Sequence, residues 1–424
     1  MKTNIIIAGL LSGIFMAGAA KAQFSMSGEF RPRSEFRHGF QSLMAPDTDP
    51  AFFVSQRTRL NLNHSESRMR FRLSLQDVRV WGDNSQLNQF DNNSSVYEAW
   101  GEFNITEGIS IRAGRQQLVY DNSRILGNVD WAQQGRSHDL VLLKYTSATG
   151  IQAHLGLAFN QAAENNTGTL YLVQNNYKTM QFLWLNQKFG NSAVSLLALN
   201  NGLQFIDETG SKVYFSQTLG GRFEHTTGDW NLGAETYYQT GKDIMNRNLS
   251  AWYAGLQADR KLNELFALNL GFEWLSGTDE AIMLDYSNNK NHSFTPLYGT
   301  NHKFNGHMDY FYVGNHINNV GLINPYGGFT LSVDKISLQL VYHGFISHGL
   351  LMNPDEPGKT MDRFLGSESD VILGYSFTPQ FTVRAGYSQM FATRSMEVLK
   401  GGSRKEINNW AWIMLVMKPE FFKL

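Results

Sequence analysis

Apolar and polar residues alternate with a period of two over nearly the whole chain, and this excludes most folds. From Gln23 to Arg37, Phe24, Met26, Phe30 and Phe36 share one parity, and Ser25, Ser27, Glu29, Arg31, Arg33 and Glu35 share the other. From Gln56 to His64, Thr58, Leu60 and Leu62 oppose Arg57, Arg59, Asn61 and Asn63. From Met69, Phe71, Leu73 and Leu75 oppose Arg70, Arg72 and Ser74, until the parity flips at Gln76-Asp77, where a β-bulge is expected. The pattern recurs at Ile151–Asn160, Trp252–Asp259, Leu268–Trp274 and Phe381–Ser388. It yields 18 strands, near 24–36, 56–64, 69–81, 95–104, 109–119, 138–147, 150–160, 178–189, 192–200, 215–225, 229–240, 251–261, 266–276, 326–334, 335–346, 367–377, 380–393 and 408–418. Most are about 9–11 residues long, the length a tilted strand needs to cross a bilayer.

The connections alternate in length. Short ones fall at 65–68, 106–108, 148–150, 190–191, 226–228, 262–264, 334–335 and 378–379. Long ones fall near 37–56, 82–94, 120–137, 161–177, 201–214, 241–250, 277–325, 347–366 and 394–407. The expected fold is therefore all-β: a transmembrane antiparallel up-and-down β-barrel with short periplasmic turns and long extracellular loops. An even strand count puts both termini in the periplasm, and closure pairs the first strand with 408–418. The aromatics Trp230, Trp252, Trp274, Tyr375 and Trp410 lie near strand ends and suit interfacial girdles. Phe421-Phe422 stands two residues before the end. A secreted soluble β-protein is the competing reading, but it would hide its apolar face under a second layer.

Residues 1–22 read as a cleavable signal peptide: Lys2, an apolar run from Ile5 to Ala20, then Ala20-Lys21-Ala22. The expected location is the outer membrane of a Gram-negative cell, with residues 23–424 forming a single barrel domain. At 42% hydrophobic and 17% charged the chain is too polar for a helical membrane protein, and no later segment is a 20-residue apolar run. Cysteine is absent, which removes disulfides and thiolate metal sites. A formal net charge of −1 leaves any charge selectivity to local patches and argues against a nucleic-acid surface.

Arginine supplies the local patch. Thirteen of the 20 arginines precede residue 137, and no lysine falls between Lys21 and Lys144. Arg31, Arg33, Arg57, Arg59, Arg70 and Arg72 hold the polar parity of three consecutive strands, and Arg112 extends the row. Guanidinium forks match carboxylates, so such a wall suits a polyanion passing from site to site. The same arginines could instead brace the wall against Glu29, Glu35, Asp77, Glu98 and Glu102. Both readings stand at this point.

The stretch Gly114-Arg115-Gln116-Gln117, followed by Arg124-Ile125-Leu126-Gly127-Asn128-Val129-Asp130-Trp131-Ala132-Gln133-Gln134-Gly135-Arg136-Ser137-His138-Asp139, resembles the alginate export porin family. So do Gly28-Glu29-Phe30-Arg31-Pro32-Arg33 and Arg57-Thr58-Arg59-Leu60. The resemblance is specific mainly over 28–145. It implies a monomeric 18-stranded barrel whose electropositive constriction passes anionic polysaccharide outward, with periplasmic export proteins and outer-membrane lipid as partners. It adds Arg115, Arg124, Arg136 and Asp139 as lining or loop residues.

No nucleophile-elbow, zinc-protease or phosphate-loop motif occurs, and the 11 histidines lack metal-ligand spacing, so no catalytic residue, cofactor or metal is expected. The 120–137 connection, with Trp131, is either a constriction loop folded into the lumen or an exposed outer loop. The 277–325 connection reads as polar and mobile: a pore cap, a partner site or disordered decoration. The resulting function is a passive channel for anionic poly- or oligosaccharide. The alternatives are a general small-solute porin and a surface-binding barrel with a blocked pore.

Overall fold

The computed structural model describes residues 23–424 except 172, 208, 209, 286 and 301; the expected signal peptide lies outside them. A closed wall of 18 antiparallel strands forms the molecule. In chain order these are β1 (Gln23–His38), β2 (Ala51–Glu66), β3 (Met69–Val80), β4 (Ser94–Asn104), β5 (Ile109–Gln116), β6 (His138–Thr146), β7 (Gln152–Phe159), β8 (Thr179–Phe189), β9 (Ser192–Asp207), β10 (Gly210–Thr227), β11 (Trp230–Lys242), β12 (Asn248–Lys261) and β13 (Phe266–Leu275). The two-residue β14 (Lys290–Asn291) lies inside the longest loop, and β15 (Leu322–Val333), β16 (Ile336–Ile346), β17 (Phe364–Thr378), β18 (Phe381–Ala392) and β19 (Asn408–Met417) complete the wall. Short helices α1 (Glu280–Leu284) and α2 (Arg394–Lys400) sit in outer loops. Among the described residues no helix is long and apolar enough to cross a membrane.

Each wall strand pairs with the next wall strand, β13 with β15, while β14 adds to β12 in parallel, and β19 closes onto β1 with Arg33 opposite Met414 and Arg37 opposite Trp410. The lower end of β1 is covered by a separate segment, β20 (Glu420–Lys423), which pairs Ser25 with Lys423. Pro419 O accepts from the Gly28 N–H at 2.9 Å, and Phe422 stacks on Phe24. Phe421-Phe422 is therefore part of the closing seam. Among the described residues β19 and β20 together cover the edge of β1, which in hydrocarbon would cost several kcal/mol for each unpaired group.

The pleat sorts the two parities. Phe71, Leu75, Leu155, Leu196, Leu256 and Leu270 face outward and stay exposed, as a lipid-facing belt requires. Trp230, Trp252, Trp274 and Tyr375 share that outer face. Trp410 does not: it is fully buried on the lumen side, and its Nε1 donates to Glu35 Oε2 at 3.0 Å. Position near a strand end marked it as a girdle residue, but its parity matches the inward Trp412 and Met414.

Three other expectations are corrected. The strand β3 keeps its parity through Gln76 and Val78, which pair with Arg59 and Arg57. The bulge lies instead on β4, where Tyr97 is an extra residue between Val96 (opposite Leu75) and Glu98 (opposite Ser74). That bulge turns the adjacent Tyr97 and Glu98 both into the lumen, where both are buried. The 201–214 segment is mostly strand and half of 241–250 is; β9 and β10 extend to Asp207 and from Gly210, and β11 and β12 are separated by five residues. Finally, the 276–321 connection is packed inside the barrel, with Phe294, Met308, Tyr310 and Val320 at most 2% exposed. Its asparagines and histidines masked these apolar anchors.

Candidate channel constriction

Two long external connections fold into the lumen. The 117–137 loop enters after β5 and buries Leu118, Ile125, Leu126 and Val129. Of the two readings of this loop, the constriction geometry is the one found. Left-handed backbone turns it: Asp121, Ser123, Val129 and Gly135 all have φ between 51° and 72°. Val129 is β-branched, so this conformation is strained there. At Gly135 a Cβ would come within 2.9 Å of Tyr97 and Arg59, so only glycine fits under them.

Four wall arginines grip this loop. Arg31 Nη2 donates to Asp130 O at 2.8 Å and its Nε to Gln133 Oε1 at 3.1 Å. Arg33 Nη1 donates to Trp131 O at 2.8 Å, and its Nε to Glu35 Oε1 at 2.8 Å. Arg57 Nη2 lies 2.9 Å from Asp130 Oδ1 and also bonds Glu29. Arg59 donates to Gln76 Oε1 at 2.9 Å and stacks 3.5 Å from the Tyr97 ring centroid. These side chains are only 1–6% exposed. Three carboxylates, Glu29, Glu35 and Asp130, sit among them. The inner arginines thus meet the loop and their own counter-ions, which is the bracing role.

The second loop completes the partition. Gly127 N donates to Tyr298 O at 2.8 Å, Tyr298 N to Ile125 O at 3.1 Å and Thr300 N to Ser123 O at 2.8 Å. Arg136 Nη1 donates to Gly299 O at 3.0 Å. Arg124 is buried between the loops and the wall, 3.2 Å from Glu273 and donating to Asn305 Oδ1 at 3.1 Å. Arg124 and Arg136 therefore hold loop to loop.

Trp131 sits where both loops meet the wall. Arg33 stacks on it at 4.0 Å and His302 at 4.0 Å, with Trp412 edge-on at 4.9 Å. Trp131 borders an external vestibule of about 470 Å³, flanked by Arg37, Phe53 and Tyr312, and a periplasmic-side chamber of about 660 Å³, flanked by Asp259, His343 and Arg384. Burial alone would raise the Asp130 carboxyl, but the guanidiniums of Arg57 and Arg31 hold it below the usual range. In the second loop, burial pushes Asp309 up to about 8 and holds the neighbouring His302 well below the ordinary imidazole value.

Arg70, Arg72 and Arg112 are different. They sit lower on the wall and are 51%, 29% and 22% exposed. Together with Lys144 they surround Glu98 and Glu102; Arg72 Nε lies 2.7 Å from Glu98 and Lys144 Nζ 2.6 Å from Glu102. Four cations over two acids leave a positive excess facing water. Lys144 was not singled out from sequence, although it shares the inward parity of Leu140 and Leu142.

Arg115 and Asp139 leave the candidate set. They are cross-strand partners, with Arg115 Nη2 2.7 Å from Asp139 Oδ2, on the outward parity of Val141 and Leu143. The pleat turns them away from the pore. Of the residues of the site that sequence reasoning missed, His302 and Asp309 lie in a loop without a period, whereas Arg384 holds the polar parity of β18; the three meet only through the fold.

No protein-family model and no curated protein matches the chain. Solved structures do match the fold. Pseudomonas aeruginosa OccK2 (OpdF), solved in complex with glucuronate, is 15% identical, with a TM-score of 0.60 over 94% of this chain and 97% of that one. Pseudomonas aeruginosa OpdK with vanillate is 11% identical at a TM-score of 0.60, covering 95% and 99%. Acinetobacter baumannii OccAB4 is 10% identical at 0.60, covering 94% and 98%. The architecture is thus that of outer-membrane porins.

Proposed function

We propose that this chain is a passive outer-membrane porin for small polar solutes, with the joined inward loops setting the size limit. The observation that carries this reading is the backbone join between the 117–137 and 276–321 loops. Cavities of about 660 and 470 Å³ border Trp131 of the joined loops. Sites for small molecules run from about 300 to 1,000 Å³. A sliding polymer needs a continuous charged groove, and the inner arginines are instead turned onto the loop and its acids. This favours small solutes over the alginate-like polysaccharide implied by the family resemblance. The outward apolar belt supports an outer-membrane location.

Small acids are the preferred cargo. The excess of Arg70, Arg72, Arg112 and Lys144 raises the local concentration of anions on that wall. Glucuronate and vanillate, named in the neighbouring structures, are small carboxylates, and the same chemistry is proposed here.

Planar-bilayer recording of the purified barrel tests this. A small anion-selective conductance is expected, rising severalfold when residues 129–134 are replaced by a short Gly-Ser linker. A folded barrel without conductance would instead favour a surface-binding role. Oligouronates passing faster than glucuronate would restore the polymer reading.

A further inference from the structure

A third cavity, of about 590 Å³, lies at the external end and belongs to neither compartment. The upper ends of β9–β12, the 160–178 loop and the far side of the 276–321 loop enclose it. Its floor is closed by hydrogen bonds. Tyr298 Oη donates to Asn201 Oδ1, Gln239 Nε2 donates to Thr295 O at 2.7 Å, and Thr295 N donates to Gln239 Oε1 at 3.0 Å. The cavity is a blind pocket beside the pore.

Its lining selects a ligand chemistry. Tyr171, Tyr177, Tyr298 and Phe205 provide aromatic walls. Among the described residues no Lys, Arg or His lines it. Its one acid, Asp243, is taken by Arg247 at 2.7 Å and by Asn291 Nδ2 at 2.8 Å. A charged ligand group would therefore be desolvated without a counter-ion. The floor nonetheless holds two buried polar side chains with unused capacity. Asn201, 1% exposed, accepts from Tyr298 but its Nδ2 donates to no protein group. Ser216, 7% exposed, makes no side-chain hydrogen bond within the protein. Neither atom is among the buried side-chain atoms left without a partner, so both are open to the cavity, where a ligand hydroxyl can take the place of water.

We infer that this pocket binds a neutral saccharide of one or two rings. The C–H faces of the sugar lie against the tyrosines, as aromatic surface favours, and its hydroxyls pair with Asn201 Nδ2 and Ser216 Oγ. An uncharged sugar satisfies both donors without bringing a charge to a site that lacks a partner for it. This site is separate from the arginine constriction and does not depend on conduction.

Saturation-transfer NMR on the full barrel in an amine-oxide detergent tests the assignment, with maltose as probe, glucuronate as the charged comparison and phenol as the purely aromatic one. Maltose is expected to receive saturation and glucuronate little. Ser216→Ala and Phe205→Ala should each weaken maltose binding about three- to tenfold, the scale of one lost contact. Both variants should keep the heat-modifiable gel mobility of a folded barrel and an unaltered conductance without sugar. No transfer to maltose, unchanged affinity in both folded variants, glucuronate bound as tightly as maltose, or phenol alone binding would each overturn the inference.

Discussion

The arginines of this wall form two populations distinguished by burial. Arg57 is 1% exposed and holds Asp130 and Glu29; removing it strands both acids beside two further guanidiniums. Breaking a buried pair costs about 3–5 kcal/mol, and the half-exposed Asp130 puts the expectation for Arg57→Ala near about 2–3 kcal/mol. The measurement is the temperature at which the folded gel band converts to the unfolded one, and open-channel noise should rise with it. Arg70, 51% exposed, should cost less than about 1 kcal/mol as Arg70→Ala yet lower anion selectivity. Equal thermal loss in the two variants would mean that burial does not separate the roles. The sequence pattern puts both arginines on the polar parity of their strands. It could not say which was covered, because the cover comes from a loop about 70 residues further on.

At the scale of elements, the strands were legible and the loops were not. Period-two alternation finds a strand wherever one face meets lipid, and the count of 18 holds. Alternation continues into β9 and β10 beyond the bilayer, where residues such as Tyr214 and Gln204 blur the contrast and hide strand as loop. The inward loops lack any period, so their apolar anchors Leu126, Tyr298 and Met308 looked like scattered residues. Their hold on the lumen is titratable. Asp309, raised to about 8 by burial, binds a proton in the folded loop that it lacks when released, so its contribution is lost as pH rises from about 4 to 8. Buried His302 and His316 act in the opposite sense, favouring the folded loop more as pH rises toward 6.5 and not beyond. The groups facing Asp309 are His302, whose Nδ1 lies 3.2 Å from Asp309 Oδ1, and His307, Arg37, Glu35 and Arg33. Between pH 6.5 and 8 Asp309 contributes a loss of up to about 2 kcal/mol, opposed above about pH 7 by buried Lys400, which donates to Asn315 O and is lowered by burial to about 7. Loop-dependent current noise should grow more across that interval in the native chain than in Asp309→Asn. A noise profile unchanged by the substitution would assign the titration elsewhere.

For the whole molecule, closure is the governing constraint, and it is shared between two segments. The β19 strand covers the upper part of β1, and β20 covers Ser25–Ser27. Deleting 419–424 should leave that stretch of β1 unpaired in the membrane. The expected result is a sharp fall in the fraction of refolded, heat-modifiable barrel in liposomes, with a milder fall for Phe422→Ala. A full yield from the truncated chain would show that β20 is dispensable for closure.

Trp131 touches both sides of that seam, Arg33 on β1 and Trp410 and Trp412 on β19. A slip of one residue between these strands would send every side chain of one of them to the opposite face. Ala411 and Ile413 would then meet the loop, Glu35 would lose the Trp410 N–H, and Trp131 would lose its aromatic bed. The lipid-facing surface, apolar in either alignment on β19, would register the error weakly. The constriction thus also proofreads the joining of the chain's two ends: only one alignment of first and last strand leaves its tryptophan seated.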